Sequence, residues 1–116
     1  MSGALNPEEA FSELLAGLEQ IPASLTIPID PPVNFGGADY AQIVLREPTV
    51  DEVRQAEEQL RFGRTPHAVR NYEIHLVSKC SGVPLPVIQK MGVSRVLAAM
   101  AYISIFLGVG RGTGAN

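Results

Sequence analysis

A chain of 116 residues with a formal charge of −3 has room for one hydrophobic core and not for two. The acidic balance argues against a general nucleic-acid binder, which needs Lys and Arg in surplus on one face. With 46% apolar and 18% charged residues, the chain is less charged than a usual soluble domain, of which about a quarter is charged, so either its core is generous or an apolar face awaits a partner.

Residues 1–23 read as an amphipathic helix or arm. Asn6 can cap, Pro7 suits the first helical position, and Glu8 and Glu9 complement the positive end of the helix dipole. Phe11, Leu14, Leu15, Leu18 and Ile21 share one face, and Pro22 ends the element. Such a helix is expected to cover its own core; the alternative is an arm that docks on a neighbouring subunit.

Residues 24–46 read as an antiparallel hairpin. Leu25, Ile27 and Ile29 alternate with Thr26, Pro28 and Asp30, which is strand periodicity, and Pro28 marks an edge strand. The segment from Pro31 to Gly37 is expected to form a long irregular tip, after which Tyr40, Ile43 and Leu45 belong to a second strand ending at Arg46.

Helices fill residues 50–107. Leu45, Pro48, Thr49 and Glu52 mark the boundary: a strand is stopped by proline, and Thr49 and Glu52 have capping-box spacing. Val53, Ala56 and Leu60 carry the apolar face to a stop at Gly63. Thr65-Pro66 opens the next helix, with Val69, Tyr72, Leu76, Val77 and Cys80 apolar and Gly82 at its end. After a Pro84/Pro86 connector, residues 87–91 allow little more than one turn. The last helix, about 94–107, is apolar nearly all round: Val96, Leu97, Met100, Tyr102, Ile103, Ile105, Phe106 and Leu107. One side can enter the core, and the other is expected to meet another protein. Residues 109–116 are glycine-rich and read as a flexible tail. The fold class is α+β: an N-terminal helix, a β-hairpin, then a small bundle of three to four helices.

The search for chemistry is negative. His67 and His75 stand eight apart with no completing ligand, so neither a metal nor another cofactor is expected. Cys80, the only cysteine, has no partner for a disulfide or redox pair and lies on an apolar face, as an inert buried thiol does. The glycines after Gly108 lack the Lys-Ser/Thr and helix of a phosphate loop. No catalytic residues are identified, and the chain is not read as an enzyme. Neither a secretion signal nor a run long enough to span a membrane is found, so the chain reads as soluble, without a membrane partner. Residues 66–91 could be arranged as a helix-turn-helix offering Gln89 and Lys90 to DNA; Pro84, Pro86 and the acidic balance count against it.

The stretch Ile43-Val44-Leu45-Arg46-Glu47-Pro48-Thr49-Val50-Asp51-Glu52, with the later Leu76 to Pro84 and Val87 to Met91 segments, resembles the tail assembly chaperones of long-tailed phages and Mu-like prophages. The resemblance covers roughly residues 24–108. It implies a non-enzymatic protein of the infected host's cytoplasm that binds the tape measure protein, helps recruit tail tube protein, forms a homo-oligomer, and is absent from the mature virion; nucleic acid is not an implied partner. For self-association or client contact, the residues singled out are Val96, Leu97, Met100, Ile103, Phe106 and Leu107. The alternatives are a small helix-turn-helix DNA-binding regulator and a structural subunit of a particle.

Overall fold

A computed structural model describes residues 6–108; the tail expected over 109–116 lies outside them. In chain order the elements are α1 (Pro7–Glu19), β1 (Ser24–Phe35), β2 (Ala38–Arg46), α2 (Val50–Glu57) continued by a 3-10 turn (Glu58–Leu60), α3 (Pro66–Ser81), α4 (Leu85–Lys90) and α5 (Val93–Gly108). The α+β class, with helix, two-stranded antiparallel hairpin and helical bundle, is the one the sequence predicts.

The architecture is two-layered. Alternation along the strands turns Ile27, Ile29, Ile43 and Leu45 inward, and these meet Leu76, Val77 and Cys80 of α3, Val87 and Ile88 of α4, and Val96, Ala99, Met100, Tyr102 and Ile103 of α5. Ile43, Leu45, Leu76, Ile88 and Ile103 are fully buried, each contributing about 1.5 to 3 kcal/mol over exposure.

Two expectations change. The predicted long tip is absent: β1 runs through to Phe35, and the turn is Gly36-Gly37, both at positive φ, 63° and 81°, as a two-residue hairpin turn requires. The irregularity lies within β1, where the register shifts between Pro28 and Val33. Pro31 and Pro32 have no N–H to donate and occupy that bulge, which lets Val33 return to the core. Second, α1 does not cover the core. It has the expected start, with Asn6 Oδ1 accepting from Glu9 N at 2.8 Å and Glu9 Oε1 accepting from Asn6 N at 3.2 Å, yet none of its residues is buried.

Hairpin and helices are joined at residues 45–52. Leu45 and Pro48 are buried, so the chain leaves β2 in one direction. The capping box forms, with Glu52 N donating to Thr49 Oγ1 at 3.1 Å and Thr49 N donating to Glu52 Oε1 at 2.9 Å. Arg46 grips the same carboxylate with both terminal nitrogens, at 2.8 and 2.7 Å, and donates further to the Glu47 and Lys79 carbonyls. One guanidinium thus ties the end of β2 to the start of α2 and the last turn of α3.

The hydrogen bonds from Arg46, opposed by partial burial and supported by Thr49, hold the Glu52 carboxyl down to about 2 from an ordinary 4.5. A carboxyl depressed in the native state stabilises the fold above the unfolded value and loses that contribution as the pH falls towards the native one. Arg46 is about half exposed, 49%, so screening reduces the effect. Glu52→Gln is expected to lower the unfolding free energy at pH 7 by about 1 to 2 kcal/mol. It is also expected to flatten the stability loss as pH falls from 4.5 towards 2, the interval between the ordinary and native values. Urea titrations at a series of pH values measure both, and an unchanged acid limb would remove the pair from this account.

Candidate functional site

Helix α5 is apolar on most of its circumference, and burial divides it. Val96, Met100 and Ile103 face the chain's own core together with Ala99 and Tyr102. Phe106 and Leu107 pack partly against it. Of the six side chains singled out from the sequence, Leu97 alone stands free, 51% exposed. It belongs to a stripe at four-residue spacing, Val93, Leu97, Ala101 and Ile105, all exposed and flanked by Ala98 and Ser104. The stripe has no charge, and its small residues permit close approach of another helix.

The orientation of α5 is held by Tyr102. Its ring packs edge-on against Phe106 at 5.3 Å and its hydroxyl donates to the Pro22 carbonyl at 2.6 Å, while burial raises its pKa. That bond also fixes where α1 leaves the body. Sequence reading missed Val93, Ala101 and Ile105. Their signal was present in the four-residue spacing, but it becomes useful only once Tyr102 and Ile103 are known to point inward.

The candidate chemical groups resolve into structural roles. His75 Nδ1 pairs with the Asn71 carbonyl at 2.8 Å, and His67 Nε2 lies 3.2 Å from Asn71 Nδ2. Among the described residues no three His, Cys, Asp or Glu side chains gather to hold a metal ion. Cys80 is buried, and desolvation pushes its thiol up to about 11, well away from a reactive thiolate. In α4, Val87 and Ile88 are fully buried, leaving Gln89 and Lys90 outside on a six-residue helix. No buried polar side-chain atom among the described residues lacks a hydrogen-bond partner, so none is left aimed into a cavity. No described helix is long and apolar enough to cross a membrane. What the geometry offers is binding through exposed apolar side chains: the α5 stripe, the Phe11, Leu14 and Leu15 face of α1, and Phe62 beyond α2.

A family model described as phage tail assembly chaperone proteins, E, or 41 or 14, matches residues 26–108. The match takes in the hairpin and every helix of the body and leaves out α1. No curated protein and no solved structure gives a significant match to the chain.

The two sides of α5 should separate in a stability measurement. Ile103→Ala opens a cavity in a fully buried position and is expected to cost about 2 to 5 kcal/mol. Leu97→Glu is expected to stay within about 0.5 kcal/mol of the parent, as surface substitutions do. Denaturant unfolding of both variants checks the ranking; a reversed order would mean that α5 turns its other side to the core.

Proposed function

Since this chain belongs to the phage tail assembly chaperone family, we propose that it binds the tape measure protein, keeps that long client from aggregating, and assists tail tube assembly. It acts in the cytoplasm of the infected bacterial host, as a homo-oligomer, and leaves before the virion is complete. The observation that carries the reading is the uncharged outer stripe of α5, an apolar helix face left exposed among the described residues.

A helix face of this kind suits a helical client. Val93, Leu97 and Ile105 supply apolar anchors at the spacing of helix turns, and Ala98, Ala101 and Ser104 leave space for the client's side chains. Within the group first singled out, Leu97 makes the client contact, whereas Val96, Met100 and Ile103 determine which face of α5 is turned outward. Phe106 and Leu107 close the end of the helix. No reaction is needed for this role: a holdase works by mass action, binding the aggregation-prone state and lowering its free concentration.

The helix-turn-helix alternative is weaker because α4 has six residues and spends Val87 and Ile88 on the core. A recognition helix needs several outward side chains in one groove.

Co-expression with a tape measure protein tests the reading. The parent chain is expected to keep the client in the soluble fraction, and the doubly substituted Leu97→Glu, Ile105→Glu chain, checked for folding by circular dichroism, is expected to lose most of that effect. Equal rescue by the folded double variant would dismiss the α5 stripe as the client surface, and failure of the parent chain itself would dismiss the client.

A further inference from the structure

Helix α1 is well started and poorly sustained. Its capping box and Pro7 favour initiation, but Gly17 weakens the interior, Glu9 and Glu13 are like charges one turn apart, and no basic residue lies in its last turn. Helices of about this length are marginal in water without tertiary packing, yet Phe11, Leu14 and Leu15 stand exposed and take no part in the core of the described residues. Charge is equally lopsided. Four of the 12 acidic residues, Glu8, Glu9, Glu13 and Glu19, lie on α1 and no Lys or Arg does, so residues 21–108 are left electrically balanced and the arm holds the excess.

A complementary surface exists on the body. Leu60, Tyr72 and Leu107 line a groove of about 310 Å³ between the end of α2, α3 and α5, with Arg64, Glu57 and Ser104 also on its wall. Beside Leu60, Phe62 projects 93% exposed with the Arg61 guanidinium 5.1 Å from its ring centre. Arg64 makes no ion pair among the described residues. The groove seats an apolar helix face on Leu60, Tyr72 and Leu107, with an outward phenylalanine beside it, and offers an acidic flank the Arg64 cation, Arg61 being paired with Glu58 at 3.3 Å.

The arm does not reach this groove in its own chain. Pro22 is held on Tyr102, and Tyr102 and Leu107 leave α5 about 140° apart around the helix axis at 3.6 residues per turn. The arm therefore sets out from the opposite flank of α5.

We infer that α1 docks in the Leu60, Tyr72 and Leu107 groove, beside Phe62, of a second copy of the chain. Phe11, Leu14 and Leu15 supply the buried contact, as in helix-in-groove recognition. Glu8 and Glu19, on the flank of that face, meet Arg61 and Arg64 and fix orientation more than strength. The contact lies on the Leu107 side of α5 and leaves the Ile105 side free. It is a property of the free protein and stands or falls independently of any client.

Sedimentation velocity on the full chain, over a concentration series at low salt, tests the inference. The parent is expected to gain mass above the monomer with rising concentration. A groove-reversed Arg61→Glu, Arg64→Glu variant and an arm-reversed Glu8→Arg, Glu19→Arg variant are each expected to self-associate about tenfold or more weakly. An equimolar mixture of the two is expected to recover the lost mass, because each arm then finds a groove of opposite charge. A parent that stays monomeric throughout, or variants that associate as tightly as the parent, would overturn the proposal. A Leu15→Cys, Phe62→Cys chain gives a further reading: oxidation to covalent dimers supports docking between copies, and an intrachain disulfide in a monomer refutes it.

Discussion

The structure depends on the clamp between Arg46 and Glu52. A two-stranded hairpin is marginal in water by itself, and this one persists because its inner face is laid on helices whose position it must share. The clamp enforces that sharing: the Glu52 carboxylate caps α2 and receives a bidentate guanidinium from the last residue of β2, while the same guanidinium reaches a carbonyl of α3. Buried Pro48 between them rules out a continuing strand. Three elements are therefore fixed relative to one another by two side chains six residues apart.

From that fixed corner, packing decides what is left outside. The hairpin gives Ile27, Ile29, Ile43 and Leu45 to the core, and α3 and α4 complete the trough into which α5 settles. An almost uniformly apolar helix has little preference of its own for one orientation, because many faces could be buried. Tyr102 removes the ambiguity, since a buried hydroxyl must find an acceptor and the Pro22 carbonyl is the one it meets. The stripe through Leu97 faces outward as a consequence. An exposed face made in this way is a remainder of folding, and its position is as well defined as the core beneath it.

Among the described residues, what stands exposed is apolar surface rather than reactive groups. Each candidate for chemistry is occupied structurally: Cys80 packs, the histidines bond along their own helix, and α4 faces inward. Membership of the tail assembly chaperone family accords with a body whose notable exposed features are apolar. The family match begins after α1, and the acidic arm is the part of this chain that its body does not explain.

Much of this was legible in the chain itself wherever the cause was local. Capping spacing at Thr49 and Glu52, proline at the first position of α1 and α3, and glycine after α3 each act within a few residues, and each element begins or ends where its sequence says. Alternation marked the inward residues of both strands for the same reason. The tight Gly36-Gly37 turn was also written locally, but Pro31 and Pro32 nearby read as a loop, and only pairing with β2 shows that they fit a bulge inside a strand. Partnerships between distant residues were beyond local reading: Arg46 with the Lys79 carbonyl, Tyr102 with Pro22, the uncovered state of α1, and the face of α5 that turns outward. Those depend on which surfaces meet once the chain is compact, and an apolar side chain carries no mark telling whether its neighbour will be its own core or another molecule.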